Sequence, residues 1–347
     1  TCALPIYGFA WGPDGWLYLT HGVFTHSKVR DPNNPDDDGV RMDAALARYH
    51  PRTRRFEVFA DGTSNPWGVD WDERGEAFVS ACVIQHLFHL APGGQYNRQG
   101  GTWPNPFGYV QDLPSKGLPA IVDWRHFRAA HAGICLYQGN QWPADWRGLV
   151  LLGNIHESAL NCDRLTPVGA TYKAERETKL LGPPKGDYQI DGGTFLASGD
   201  HWFRPVSSQT GPDGALWVMD WCDKYPCYQN AQADPEGVDR ELGRIWRVVW
   251  TGSNPGQPVP SRPDLRMDLA KLDNTQLVDL LRHPNVWQRR QAIRLLGERA
   301  DAGTFAALDR LLYAGRRDRM ARPPLEQRLA AFSALHAANL LKPETLD

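Results

Sequence analysis

The sequence predicts a partial all-β propeller followed by an α-helical repeat segment of the HEAT or ARM type. Short apolar runs are separated by a recurring Gly-Pro-Asp-Gly turn, and the 347 residues include 33 Gly, 27 Pro and 14 Trp. Near residue 255 the composition changes to one rich in Leu, Ala and Arg. Many short strands joined by tight turns are typical of β-repeat folds, whereas a Leu- and Ala-rich tail favours helices. We therefore expect two architectures in one chain.

The charge and hydropathy of the chain exclude several classes of partner. With 38 Lys and Arg against 40 Asp and Glu, the formal net charge is -2. This charge gives no global basic field that would hold nucleic acid. No apolar run reaches the roughly 18 residues that a membrane-spanning helix requires. We expect a globular fragment with no nucleic-acid partner and no transmembrane segment.

The strand prediction begins with an internal repeat. In the Gly-Pro-Asp-Gly turn, Pro presets φ, Asp bonds back to the backbone, and the last Gly supplies a left-handed residue. Each copy is therefore expected to be a β-hairpin. The four copies, of which the second is looser and the third has a longer loop, are residues 8–19, 67–79, 133–152 and 207–218.

A second kind of hairpin or strand lies between these copies. Two hairpins per repeat make a four-stranded sheet, and sheets that recur at this period are typical of propeller blades. We expect about four blades of a six-bladed ring, with a four-bladed ring as the alternative. The intervening strands are expected at residues 46–50 with 55–59, 87–90, 160–165 with 170–173, and 243–249.

The predicted domain boundaries follow the composition. Residues 1–6 can be read as the translation of a sequencing adapter, so we exclude them from the fold. The partial propeller is expected at 7–251, and a Pro- and Gly-containing linker at 252–262. The HEAT-like helical segment is expected at 263–347.

The tail is expected to form paired helices, with an ordinary helical bundle as the alternative. The apolar periodicity indicates helices over 274–281, 285–299, 304–313 and 325–340. The last helix is expected to direct four side chains inward, namely Leu325, Leu329, Phe332 and Leu335.

Three local features are given structural interpretations. The cysteines form no CxxC pair, so no zinc site is indicated, although Cys222 and Cys227 could bridge a turn in an oxidising compartment. Residues 31–39 are rich in oxygen ligands but lack the EF-hand spacing, so we expect a solvated loop. Residues 93–101 are expected to form a glycine-rich loop, which has no GK[ST] ending and is not interpreted as phosphate-binding.

Polar residues beside the repeated hairpins are the candidate functional residues. In propellers, strand ends and connecting loops meet at the central channel. Each histidine could instead be a structural residue that links blades, and each carboxylate could either ligate Ca²⁺ or cap a turn. The candidates are His21, His131 and His156 as catalytic residues, Arg204 as a ligand-binding residue, and Asp220 and Asp223 as metal ligands.

Several motifs together resemble one protein family. They are Trp-Gly-Pro-Asp-Gly-Trp-Leu-Tyr at 11–18, His-Ala-Gly at 131–133, Gln-Trp-Pro-Ala-Asp-Trp-Arg-Gly at 141–148, and Phe-Arg-Pro-Val at 203–206 before Gly-Pro-Asp-Gly at 211–214 and Asp-Trp at 220–221. The combination resembles the bacterial membrane-bound dehydrogenase proteins, which are relatives of the soluble PQQ-dependent glucose and sorbosone dehydrogenases. The resemblance covers about residues 8–340.

The resemblance implies oxidation of a sugar or alcohol by PQQ, with Ca²⁺ polarising the quinone and a histidine accepting the hydroxyl proton. Arg204 matches the first arginine of an Arg-x-Arg motif of the family, whereas Val206 stands in place of the second. Arg164 lies near the place of another quinone-contacting arginine, and His131 matches the histidine of the His-Ala-Gly motif. The position of the family's general-base histidine falls on Leu4, within the excluded segment.

Further expectations follow from the same resemblance. A c-type haem belongs to a C-terminal module of the family that carries CxxCH, and this motif is absent from the sequence. A cytochrome c is then an expected electron acceptor, and the expected compartment is extracytoplasmic. The alternative is a non-catalytic propeller that binds a carbohydrate or a protein, with the HEAT-like repeats as a second interaction surface.

Overall fold

The structure is a computed structural model, and it describes most of the chain. The described residues are 6–23, 25–99, 117–126, 130–183, 192–226, 233–239, 241–252, 267–299, 301–314 and 321–341. Within them, antiparallel sheets occupy the first part of the chain, and α-helices from Asn274 onward occupy the last part.

Sheet 1 has five strands in the order β1-β2-β5-β6-β10. All neighbours are antiparallel except β10, which runs parallel to β6. A separate hairpin, β3 and β4, interrupts the chain between β2 and β5. The strands are β1 (Ile6–Trp11), β2 (Leu17–His21), β3 (Ser27–Val29), β4 (Val40–Met42), β5 (Ala45–Tyr49), β6 (Phe56–Thr63) and β10 (Gly94–Arg98).

Sheets 2, 3 and 4 repeat the same antiparallel hairpin pattern. Sheet 2 consists of β7 (Val69–Trp71), β8 (Ala77–Ser80) and β9 (Leu87–Leu90). Sheet 3 consists of β11 (His131–Leu136), β12 (Leu149–Asn154), β13 (Ala159–Val168), β14 (Thr171–Arg176) and β15 (Thr194–Ala197). Sheet 4 consists of β16 (Pro205–Thr210), β17 (Leu216–Asp220) and β18 (Arg244–Val248). The four predicted repeat hairpins and the intervening strands are all present.

The repeat turns have the conformation that their sequence predicts. Gly15 and Gly214 have φ of 81° and 79°, in the left-handed region that a side chain disfavours. The Asp14 carboxylate accepts a hydrogen bond from the Trp16 amide at 3.2 Å. Asp213 accepts one from the Ala215 amide at 3.3 Å. The Gly-Pro-Asp-Gly motif is therefore confirmed as a hairpin turn.

The four sheets pack face to face, with their first strands side by side. Three apolar cores fill the successive interfaces, around Trp71 between sheets 1 and 2, Phe78 between sheets 2 and 3, and Leu216 between sheets 3 and 4. The first strands β1, β7, β11 and β16 line a common cavity of about 380 Å³. This is the packing expected of consecutive blades, while closure into a six-bladed ring stays a prediction.

The described residues of the C-terminal part form four α-helices that share one apolar core. They are α2 (Asn274–Leu280), α3 (Val286–Arg299), α4 (Ala302–Tyr313) and α5 (Leu325–Ala337), whereas the short helix α1 (Thr178–Leu181) belongs to the sheet region. Asp273 caps α2 with a capping box, and the Asp301 side chain caps α4. No described helix is long and apolar enough to cross a membrane.

Two details differ from the sequence predictions, and one cannot be compared. Leu325 is exposed rather than inward, because it is the first residue of α5 and extends beyond the helical core, which holds Leu335. Part of the glycine-rich segment 93–101, expected to be a loop, is strand β10, because the turn at Pro92 and Gly93 leads into a strand that begins at Gly94. The predicted Cys222–Cys227 bridge lies outside the described residues at Cys227. The HEAT character of the helices stays a prediction.

The helices cover the end of the sheets that carries the repeat turns, which we call the turn end. Asn285 donates to the Gly211 and Pro212 carbonyls of sheet 4 at 2.9 and 3.1 Å. Arg290 donates to Asp70 and to the Trp71 carbonyl of sheet 2, both at 2.7 Å. At the same end, the Val286 amide donates to the carbonyl of Gln138, which follows strand β11 of sheet 3. His336 on α5 contacts the Asp14 carbonyl of sheet 1. All four sheets are therefore held at their turn end, and the opposite end is called the open end.

Candidate functional site

Polar residues end the second strand of every sheet at the open end. These residues are His21, Ser80, Asn154 and Asp220, each the last residue of its strand and each buried. The strand pairing places His131 opposite Asn154. Buried polar groups at repeated positions require hydrogen-bond partners, so the open end is where the polar networks of the sheets lie.

His21 and Asp220, two of the predicted site residues, are held in protein networks. The His21 ring contacts the Gly22 carbonyl at 2.9 Å and Ser27 Oγ at 2.8 Å, and burial lowers the pKa of His21. Asp220 Oδ1 accepts the Arg204 and Cys222 amides at 2.8 and 2.9 Å. Its Oδ2 accepts Arg244 Nε at 2.6 Å and Trp246 Nε1 at 2.8 Å. Both oxygens of Asp220 thus stabilise the strand ends of sheet 4.

The two predicted quinone-binding arginines lie at opposite ends of the sheets. The Arg204 guanidinium donates to Ser158 Oγ, to the Phe203 carbonyl at 2.9 Å and to the Lys224 carbonyl at 2.5 Å, at the open end. Arg164 of β13 lies opposite Leu149 in the strand register, at the turn end of β12. Its guanidinium forms an ion pair with Glu177. Roughly 17 Å of strand separates these ends at about 3.4 Å per residue. Arg164 and Arg204 therefore do not converge.

His156 and Asp223 also lie at the open end. His156 is exposed in the β12–β13 turn, which also carries Ser158, the hydroxyl bound by Arg204. Asp223 Oδ1 accepts the Asp239 amide at 2.9 Å and so orders the chain that follows β17. The structure brings Arg204 and the turn of His156 together, and Asp220 supports Arg204 through its backbone amide.

His131, the remaining predicted histidine, lies in a larger buried cluster. His86 Nε2 lies 2.8 Å from Asp163 Oδ2, and His126 Nε2 lies 3.0 Å from Asp163 Oδ1. The His131 ring centre is 4.8 Å from that of His86 and 5.4 Å from that of His126. The Asn161 side chain accepts from His131 Nε2 at 3.2 Å. We call His86, His126, His131, Asn161 and Asp163 the histidine cluster.

Burial and charge oppose each other within the histidine cluster. Burial favours the neutral ring and lowers the pKa of His86, and burial with the neighbouring histidines lowers that of His131 further. Burial also opposes ionisation of Asp163, but the charge and hydrogen bonds of His86 and His126 outweigh it and hold the Asp163 pKa below its ordinary value. The two histidines therefore stabilise the ionised form of the buried Asp163 carboxylate.

The cavity between the first strands forms a second polar feature. Arg290 and Arg294 of helix α3 line this cavity at the turn end. The Arg290 guanidinium lies over the Trp71 ring, and the Arg294 guanidinium lies over the Trp11 ring. Arg290 is paired with Asp70. Among the described residues, Arg294 forms no ion pair, and its Nε is buried without a hydrogen-bond partner.

Arg164, Arg204 and Asp220 do not form the quinone site that the resemblance implies. Such a site needs guanidinium or ammonium groups free to bind the quinone carboxylates. Arg204 is occupied by protein oxygens, Arg164 lies at the other end with Glu177, and Asp220 has no oxygen left for Ca²⁺. We therefore derive no chemical step through PQQ from this arrangement.

Comparison with known proteins identifies the family. The domain of unknown function DUF7133 matches residues 4–252, and the chain belongs to this family. No curated protein matches the sequence.

Several solved structures match this chain, and three of them are described as sugar dehydrogenases. One is an oxidoreductase described as a glucose dehydrogenase from Thermus thermophilus, with 22% identity over 69% of this chain and 63% of that chain. Another is the apo-form of the soluble aldose sugar dehydrogenase from Escherichia coli, with 16% identity over 61% of this chain and 60% of that chain. A third is the PQQ-bound aldose sugar dehydrogenase from Streptomyces coelicolor, with 19% identity over 70% of this chain and 61% of that chain. Each has a TM-score of 0.41, and this chain spans about three fifths of their length.

Sequence reasoning identified His131 but missed its partners His86, His126 and Asp163. One signal was available in the predicted strand 160–165, where Asn161 and Asp163 alternate with Leu160 and Cys162. Because alternate residues of a strand share a face, two polar residues on one face of a buried strand indicate a polar cluster. The histidines are distant in sequence and join the cluster only through packing of sheets 2 and 3.

Proposed function

We propose that this chain is part of a propeller oxidoreductase that oxidises a sugar or another alcohol at the open end of its sheets. One observation carries the proposal: the helices lie against the turn end, whereas the candidate histidines and Arg204 lie at the opposite end of the described sheets. The motif resemblance at 11–18, 131–133 and 203–214 supports the same class of reaction.

Within this proposal, His156 is the histidine that a substrate can reach. It is exposed at the open end, whereas His21 and His131 are buried. An exposed imidazole can act as the general base that accepts the proton of a substrate hydroxyl. Arg204 positions the turn of His156 through Ser158. A quinone in the full-length protein would supply the hydride acceptor, and cytochrome c and an extracytoplasmic location belong to the same proposal.

The test separates cofactor binding from turnover. The full-length protein is titrated with PQQ in the presence of Ca²⁺ by calorimetry, and reduction of an artificial electron acceptor is then measured with a panel of sugars and alcohols. We expect sugar-dependent reduction that falls at least about tenfold in His156→Ala, as for loss of a general base. His336→Ala, which removes an exposed histidine at the turn end, is the matched control and should retain activity.

The alternative function is a propeller that binds carbohydrate or protein without catalysis. The observation that favours it is the saturation of Arg204, Asp220 and His21 by protein partners. Absence of acceptor reduction by folded protein with every substrate, with and without PQQ, would contradict the oxidoreductase proposal. Binding of a glycan by the same protein would then support the alternative.

A further inference from the structure

We propose that His86, His126 and Asp163 bind one divalent transition-metal ion of the class of Zn²⁺ or Fe²⁺. We call these three residues the triad. The proposal goes beyond the oxidoreductase function and does not depend on it, because a structural ion would stabilise the packing of sheets 2 and 3 whether or not the chain is catalytic.

The spacing of the donor atoms suits one ion. The ligand atoms of the triad all lie within 4.8 Å of one another. The two carboxylate oxygens of Asp163 each face one histidine: Oδ2 lies 2.8 Å from His86 Nε2, and Oδ1 lies 3.0 Å from His126 Nε2. Two ligands at about 2.1 Å from an ion and roughly at right angles are about 3 Å apart. Small shifts of the side chains would therefore replace the two hydrogen bonds with metal bonds.

The donor types select the class of ion. Two imidazole nitrogens and one carboxylate are a common donor set for zinc and non-haem iron, and they leave coordination positions open. Ca²⁺ and Mg²⁺ prefer oxygen ligands throughout, so they suit this set poorly. The triad thus indicates an ion different from the Ca²⁺ expected from the sequence at Asp220 and Asp223.

The surroundings of Asp163 favour a positive charge. Its strand register places it opposite Val150 in the apolar core between sheets 2 and 3, and the side chain is fully buried. No lysine or arginine among the described residues forms an ion pair with it. Burying a carboxylate without a lysine or arginine partner is costly, and the two hydrogen bonds from His86 and His126 offset only part of that cost. A bound cation would compensate the charge.

His131 supplies a further nitrogen beside the triad. Its ring lies 4.8 Å from His86, and its Nδ1 is buried without a hydrogen-bond partner among the described residues. Asn161 holds the other nitrogen of His131 at 3.2 Å and is itself held by Asn154 Nδ2 at 3.1 Å. An unpartnered buried nitrogen next to three convergent donors is independent support for a metal ligand at this place.

The first test is the metal content of the protein purified without chelators or a histidine tag. Mass spectrometry of the elements should find about one zinc or iron ion per chain, and the element found identifies the ion. Dialysis against a chelator should lower the melting temperature, and adding back the same ion should restore it, because a ligand that binds only the folded state stabilises it. Less than about a tenth of an ion per chain, with no thermal response to Zn²⁺ or Fe²⁺, overturns the proposal.

Variants then assign the ion to the triad. Asp163→Asn keeps the shape of the side chain, and His86→Ala removes one ligand; both should lose the ion. His89→Gln is the matched control because His89 is a buried histidine of sheet 2 that contacts Thr171 and Glu76. It should keep about one ion per chain. Retention of the full metal content by folded Asp163→Asn would place the ion elsewhere and contradict the assignment. If a variant does not fold, the chelation experiment on the unmodified protein still decides the proposal.

Discussion

Gly133 lies where two neighbouring first strands come closest. Its φ is 74°, and a Cβ built there would lie 2.9 Å from Ser207 Cα and 2.9 Å from the Val206 carbonyl oxygen. Real Cβ atoms rarely approach backbone so closely, and backbone cannot move aside as a flexible side chain can. Glycine at this position therefore permits the contact between sheets 3 and 4.

Gly133→Ala should be more destabilising than its conformation alone requires. We expect a loss of about 3 kcal/mol, because the backbone strain and the clash with β16 act together. Gly148→Ala is the matched control, since Gly148 has φ of 79° and open space around its Cα. It should lose only about 1 kcal/mol. Denaturant unfolding of both variants measures the difference, and equal losses would show that the clash does not matter.

Asp61 makes the stability of sheet 1 depend on pH. Burial, and then the nearby Asp43 charge, raise its pKa to about 6, and its Oδ1 has no hydrogen-bond partner among the described residues. A carboxyl whose pKa is higher in the folded state contributes stability below its unfolded pKa of about 3.9 and loses it as the pH rises through about 6.

Asp61→Asn should therefore stabilise the protein at pH 8 and not at pH 4. We expect a gain of about 1 kcal/mol at pH 8, after allowance for the partial solvent screening of this side chain. Melting temperatures at the two pH values measure it, with the exposed Asp36→Asn as control. A gain of the same size at both pH values would mean that the ionisation of Asp61 is not the cause.

Among the elements, helix α3 connects the helical part to the sheets. Arg290 reaches both Asp70 and the Trp71 carbonyl, and Asn285, before the first turn of α3, reaches the turn of sheet 4. These are hydrogen bonds to partly buried groups, which lose more when one partner is removed than exposed pairs do. The helix therefore acts as a brace across the turn end.

Arg290→Met should weaken this brace. The change keeps an apolar stem but leaves the Asp70 carboxylate without its cation, so we expect a loss of about 2 to 3 kcal/mol. Arg282→Met removes an exposed arginine that pairs with Asp279, and should change stability by less than about 1 kcal/mol. Thermal unfolding and limited proteolysis between the sheets and helices provide the measurement. Equal stability of the two variants would show that Arg290 does not brace the sheets.

Local sequence signals predicted the elements well but could not predict how they assemble. The turn chemistry at Gly15 and Gly214 specified the hairpins, since each turn residue acts within a few positions of itself. The placement of α3 across four sheets depends on contacts between residues more than 70 positions apart, such as Asn285 with Gly211. Hydrophobic periodicity shows which face of α3 is buried but does not identify the surface that it covers.

In the candidate site too, local sequence signals identified single residues but did not predict their long-range contacts. His131 was found because it begins a repeated strand, and Arg204 because it precedes a repeat turn. The role of each residue depends on its contacts, and these contacts are made with residues of other sheets. His86 reaches Asp163 across 77 residues, and Arg204 reaches Ser158 across 46. The sequence could name individual polar residues, but it could not show that Arg164 would lie at the turn end, away from Arg204.

At the scale of the whole molecule, sheet 4 exposes an apolar outer face. Met219 and Ile245 are cross-strand neighbours on this sheet, and they are 49% and 67% exposed. Exposed apolar patches on sheet faces favour association. The chain alone should therefore self-associate as its concentration rises.

Changing Met219 and Ile245 together to Lys should reduce this association by several-fold. Light scattering coupled to size-exclusion chromatography measures the mass at two concentrations. Val168→Lys with Leu118→Lys is the control, because these residues are also exposed and lie outside sheet 4. Unchanged association in the sheet 4 variant would place the associating surface elsewhere.

The brace formed by the helices also bears on the order of events during synthesis. The Asp14 carbonyl contacts His336, 322 residues later in the chain, and Asp70 contacts Arg290, 220 residues later. The first hairpins therefore leave the ribosome long before their helical partners are synthesised. At 5–20 residues per second, roughly 10 to 60 seconds separate the two. During that interval the hairpin turns lack their helical partners. This is the period in which we expect a chaperone to bind the chain most readily.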